Sequence, residues 1–65
     1  MGHMEKLRIL LKSGEVKKFP WENVEFRITE NYIKVWKVNS EPDNFLFRAP
    51  MSNVEYAERI TDESE

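Results

Sequence analysis

The stretch YIKVWKV, residues 32–38, decides the fold, because it is the strongest run of β-branched and aromatic residues in the chain. Its side chains alternate with a period of two, which is the pattern of a β-strand. The sequence leaves open which side is buried. Ile33 and Val35 lie on one side of this strand, and the rings of Tyr32 and Trp36 lie on the other.

Three further segments show the same alternation, near residues 6–12, 24–29 and 45–49. Turn-forming residues separate them: Ser13-Gly14 after the first, Glu30-Asn31 before the central strand, and residues 39–44 after it. Gly14 accepts a positive φ and therefore predicts a tight hairpin turn. Because Pro20 cannot donate to a ladder, the segment around it is predicted to be a strand end, an edge or a bulge.

If each strand buries one face, the alternation predicts which side chains form the core. The residues expected to point inward are Leu7, Ile9, Leu11, Val24, Phe26, Ile28, Ile33, Val35, Phe45 and Phe47.

The segment 52–60 fits two structures. Ser52-Asn53-Val54-Glu55 has the form of a helix capping box, which favours a helix over 52–60. Val54, Tyr56 and Ile60 also fit a strand. We favour a single turn at residues 51–53 followed by a short closing strand.

The predicted fold is all-β and mainly antiparallel, a small curled sheet or a five-stranded barrel of short strands. The alternative is an α+β fold with a C-terminal helix at 52–60. The order of elements resembles the Sm-like group of small five-stranded barrels. The resemblance rests on the turn after Leu11-Lys12-Ser13-Gly14, a long bent second strand, and Phe45-Leu46-Phe47-Arg48-Ala49 leading through one turn to Val54-Glu55-Tyr56. It implies a barrel. The family's second glycine is replaced by Lys18-Phe19-Pro20, so its ring assembly and RNA pore are not transferred to this chain.

Length and composition restrict the function. Sixty-five residues allow one domain, which we place at 4–60. Residues 1–3 read as an expression-tag remnant, and residues 61–65 read as a disordered acidic tail. Outside the tag the chain has neither Cys nor His, so we expect no enzyme, no metal site and no cofactor. Neither a signal sequence nor a long apolar run is present, which predicts a cytoplasmic protein.

Five cations and two aromatic rings are expected on the outward face of the sheet, and they form the candidate binding face. These residues are Arg8, Lys12, Arg27, Tyr32, Lys34, Trp36 and Arg48. Cations neutralise phosphates and aromatic rings stack on bases, so this set fits a single-stranded nucleic acid. The same residues also fit a solvated sheet face that pairs with neighbouring acids.

Phe19 and Trp21 flank Pro20 and form a second candidate, a protein-docking site. They equally fit a plug over one end of a small barrel. From the sequence we therefore favour a small non-enzymatic binding or accessory module. It would act through protein contacts, with an unknown partner or as a homo-oligomer. Single-stranded nucleic-acid binding is the alternative.

Overall fold

The structure, a computed structural model, describes the backbone of residues 2–64 and the side chains of residues 4–61. It contains six strands and two short 3-10 turns. The strands are β1 (Gly2–Leu11), β2 (Val16–Pro20), β3 (Val24–Ile28), β4 (Tyr32–Lys37), β5 (Phe45–Pro50) and β6 (Val54–Ser64). The 3-10 turns are Trp21–Asn23 and Met51–Asn53. The prediction of an all-β antiparallel fold is confirmed.

The strands form two antiparallel three-stranded sheets. The first sheet has the order β2-β1-β6 and the second has the order β3-β4-β5. Each 3-10 turn carries the chain from one sheet to the other, from β2 to β3 and from β5 to β6. Neither sheet closes into a barrel, so the curled-sheet form of the prediction is the correct one.

The chain changes sheet at Pro20 because proline fixes φ and supplies no amide donor. Pro20 is the last residue of β2 and lies opposite Lys6 of β1. Trp21–Asn23 then forms the 3-10 turn, and the ladder resumes in the second sheet at Val24. The predicted bent second strand is therefore two strands joined by a corner.

The final segment forms a turn and a strand, as favoured above, and the alternative helix at 52–60 is wrong. Met51–Asn53 is one 3-10 turn without a side-chain cap, and β6 begins at Val54. β6 pairs with β1 along nearly all of its length, and this long antiparallel ladder holds the segment in the extended conformation.

The pairing of β6 continues into the acidic segment. Residues 61–64 of β6 pair with residues 2–5 of β1, so this part of the expected disordered tail is extended and paired. The long partner strand explains the difference, because β1 offers backbone donors and acceptors beyond Lys6. Met1 and Glu65 lie outside the described residues.

The core lies between the sheets and is formed by Leu7, Ile9, Val24, Ile33, Val35, Ala49 and Val54, with Leu11, Phe19, Trp21, Phe47, Met51 and Ala57 packed against it. On the central strand, Ile33 and Val35 point into this core, which settles the facing that the sequence left open, while Trp36 is buried on the opposite face.

Three residues expected in the core have more than a third of their surface exposed. Phe26 and Ile28 pair with Val35 and Ile33 and therefore share the inner face, yet they are 36% and 48% exposed because β3 is an edge strand. Phe45 is 46% exposed for a different reason. The β4–β5 register shifts between Val35 and Trp36, and this irregularity reverses the facing of Phe45.

Candidate functional site

The outer face of the second sheet carries a row of three cations. Arg27, Lys34 and Arg48 lie directly opposite one another across β3, β4 and β5. Because their neighbours Ile33 and Val35 point into the core, alternation directs this row outward. Neighbouring strands are about 4.8 Å apart, so the three side chains leave the sheet along a line of roughly 10 Å.

Two aromatic rings lie beside this row and contact it. Arg48 Cζ is 4.8 Å from the centre of the Tyr32 ring. Lys34 Nζ is 5.9 Å from the Tyr32 ring and 5.5 Å from the Phe45 ring. Cation–π contacts of this kind hold a cation near a ring without neutralising its charge. We call Tyr32, Lys34, Phe45 and Arg48 the cation–aromatic cluster.

The cluster has no acidic partner among the described residues. The ion pairs seen between side chains 4–61 join Arg8 to Glu58, Lys17 to Glu15 and Arg59 to Glu5, all on strands or turns of the first sheet. Like charges placed directly opposite each other across strands are unfavourable. The row of Arg27, Lys34 and Arg48 therefore leaves a positive charge that an anionic ligand can neutralise.

Trp36 shares this outer face by alternation but is only 6% exposed. Its indole Nε1–H donates a hydrogen bond of 3.1 Å to Glu25 Oε1, on the neighbouring strand β3. The hydrogen bond satisfies the indole donor and engages one carboxylate oxygen of Glu25. Trp36 is thus buried, whereas Phe45 on the same face is 46% exposed.

Arg8 and Lys12, the other two members of the predicted face, lie elsewhere. Arg8 is on the first sheet, where its Nη1 donates to Tyr56 Oη at 2.7 Å and to Glu58 Oε2 at 2.9 Å. These two hydrogen bonds raise the pKa of the Arg8 guanidinium above its usual value. Lys12 is exposed in the turn after β1. The structure brings together Arg27, Tyr32, Lys34, Trp36 and Arg48, and it separates Arg8 and Lys12 from them.

Phe19 and Trp21 lie where the two sheets meet, and both are half-buried against the core. The Phe19 ring is 6.1 Å from that of Phe47, and the Trp21 ring is 5.6 Å from that of Phe26. Arg59 Cζ lies 4.7 Å from the Trp21 ring. Their contacts are thus with this chain's own side chains, and their role in docking a partner stays a prediction.

Phe45 was missed as a site residue because strict alternation from Phe47 directs it inward. One feature of the sequence could have identified it, because three consecutive apolar residues do not fit an alternation of inward apolar and outward polar side chains. Leu46 between two phenylalanines leaves no polar residue for the outer face, and a bulge resolves this by exposing Phe45 and Leu46 together.

Among the described residues, no group of three or more His, Cys, Asp or Glu side chains is placed to hold a metal ion. Within residues 2–64, no helix has the length and apolar character needed to cross a membrane. No family model, no curated protein and no solved structure matches this chain. The resemblance to Sm-like barrels therefore stays a prediction.

Proposed function

We propose that this protein is a non-enzymatic binding module whose ligand is a single-stranded nucleic acid, bound on the outer face of the second sheet. The observation that carries the proposal is the cation–aromatic cluster beside Arg27, with no acid paired to it among residues 4–61. Unpaired bases stack on exposed rings, and cations follow the backbone. A duplex fits less well, because its bases are not available for stacking.

Each contact has a separate signature in a binding experiment. Every phosphate neutralised by Lys34 or Arg48 contributes a slope of about −0.7 to log K against log salt for a single strand. A base stacked on Phe45 contributes about 1–3 kcal/mol, which is roughly 5- to 150-fold in affinity.

The test is an anisotropy titration of a labelled single-stranded oligonucleotide at about 50 mM salt and at increasing salt. Lys34→Glu and Arg48→Glu are expected to weaken binding and flatten the salt dependence. Phe45→Ala is expected to weaken binding and leave the slope unchanged. Lys12→Glu makes the same charge change in the exposed turn after β1 and should have little effect.

Two results would contradict this function. One is the absence of binding at about 50 mM salt, where phosphate contacts are strong. The other is equal binding of heparin, a polyanion without bases, together with no effect of Phe45→Ala. That outcome would show simple charge attraction and no recognition of bases.

Protein contact, the function that the sequence favours, is the second candidate. It is supported by the large apolar side chains left exposed on β3, Phe26 and Ile28. Exposed apolar groups gathered at one sheet edge indicate an interaction surface.

A further inference from the structure

We infer that β3 is a self-association interface, at which two copies of this chain pair their β3 strands antiparallel. The twofold axis passes between the two Phe26 residues. The result would be one continuous six-stranded sheet built from the two second sheets. This inference names a second copy of the chain as the partner in the protein-contact function. It does not depend on nucleic-acid binding.

The first observation is that β3 is an edge strand that lacks proline, lysine and a bulge. Natural edges carry proline, lysine or a bulge, which prevent edge-to-edge pairing. β2 has Lys17, Lys18 and Pro20, and β5 has Pro50 and the register shift. β3, Val24-Glu25-Phe26-Arg27-Ile28, has none of these, and its two charged residues are of opposite sign. Its edge is open for another strand.

The second observation is the direction of its backbone groups. Thr29 N–H donates to Tyr32 O and Val38 N–H donates to Asn23 O, both at 2.9 Å. Hydrogen-bonded positions alternate along an antiparallel ladder, so Glu25 and Arg27 are the residues of β3 that bond to β4. Val24, Phe26 and Ile28 therefore direct their N–H and C=O groups to the open edge.

The third observation is that the sequence of β3 is complementary to itself in this register. With Phe26 opposite Phe26 of the second copy, Val24 lies opposite Ile28, and Glu25 lies opposite Arg27. The residues with free backbone groups then form the hydrogen-bonded pairs. Glu25 and Arg27 form the non-hydrogen-bonded pairs, whose side chains approach more closely. Two opposite-charge pairs and three apolar pairs result, the third being Phe26 against Phe26.

The pairing also covers apolar side chains that are exposed in a monomer and supplies an ion-pair partner. It places Phe26 and Ile28, 36% and 48% exposed, against apolar side chains of the second copy. It gives Arg27 an acidic partner, which it lacks among the described side chains. An open groove along β3 shows that the strand is accessible. Its lining residues are Trp21, Val24, Glu25, Phe26, Arg27 and Trp36.

Charge reversal tests the register directly. Glu25→Arg places two like-charged pairs across the twofold axis, and so does Arg27→Glu. Each variant alone should weaken self-association about tenfold or more, since two symmetry-related pairs change sign together. An equimolar mixture of the two variants pairs opposite charges at both positions and should recover a dimer. Sedimentation equilibrium from micromolar to millimolar protein measures both effects.

Arg48→Glu is the matched control, because it reverses a charge on the edge strand β5 of the same sheet and should not change self-association. Glu25 also accepts the Trp36 hydrogen bond, so Glu25→Arg could disturb the fold. Hydrogen exchange of the parent chain avoids this problem. Protection of the Phe26 and Ile28 amides should rise with protein concentration, and protection of the Glu25 and Arg27 amides should not.

A parent chain that stays monomeric at millimolar concentration would overturn the inference. A dimer that both charge reversals leave intact would also overturn it, because the interface would then lie elsewhere. Neither result affects the oligonucleotide titration, whose diagnostic variants lie on β4 and β5. The two proposals can therefore fail separately.

Discussion

At the scale of single residues, stability depends on a few side chains of the two central strands. The four least exposed large side chains are Leu7 and Ile9 of β1 and Ile33 and Val35 of β4. A central strand is covered on both edges by its neighbours and on one face by the opposite sheet. Phe26 contributes less than an aromatic residue usually does, because a third of it remains exposed.

Replacing Ile33 by Ala is expected to lower the free energy of unfolding by about 2–5 kcal/mol, through lost burial and the cavity left behind. Ile33→Val should cost about 0.5–1.5 kcal/mol, and it still gives a measurable transition if the alanine variant does not fold. Leu46→Ala, at a residue 52% exposed, is the control and should change little. Urea denaturation measures all three. Similar values for Ile33→Ala and Leu46→Ala would contradict the position of the core.

At the scale of elements, two turns depend on residues that accept a positive φ. Gly14 has φ +96° in the β1–β2 turn, where its N–H bonds to Leu11 O at 2.8 Å. Asn39 has φ +70° in the turn after β4. The Glu30-Asn31 turn is built differently, because Thr29 Oγ1 accepts hydrogen bonds from the N–H groups of Asn31 and Tyr32, each at 3.1 Å.

Gly14→Ala is expected to destabilise the fold by about 1–2 kcal/mol, the cost of the left-handed region for a residue with a Cβ. An added Cβ would meet no atom within 4 Å, so backbone strain is the whole effect. Gly14→Asn should cost less, since Asn tolerates this region. Thermal unfolding of both variants checks the order, and an alanine variant as stable as the parent would show that the turn has another conformation.

At the scale of the whole molecule, the two sheets share one core, but the β1–β6 ladder extends beyond it. Among residues 4–11 of β1, Leu7 is the first that is buried, and the pairs of residues 2–5 with residues 61–64 lie on its N-terminal side. This outer part of the ladder joins backbone to backbone without adding a buried side chain among residues 4–61.

Deletion of residues 61–65 is therefore expected to keep a single cooperative urea transition, with a midpoint lowered less than by Ile33→Ala. The deletion removes ladder hydrogen bonds between β6 and β1, and each contributes a net of about 0.5–1.5 kcal/mol after exchange with water. Loss of the cooperative transition would mean that the acidic segment supports the core.

The sequence alone predicted the strands and their antiparallel arrangement, because period-two alternation, glycine and proline act over a few neighbouring residues. It favoured the turn at residues 51–53 but left a helix at 52–60 as the alternative. It also identified Arg27, Tyr32, Lys34 and Arg48 as outward residues. Only the tertiary structure decided which sheet each strand joins. The assignment of strands to the two sheets separates Arg8 and Lys12 from the other cations and places β3 at a sheet edge with Phe26 exposed. Strand partners and bulges depend on contacts between residues far apart in the chain, and no local pattern encodes them.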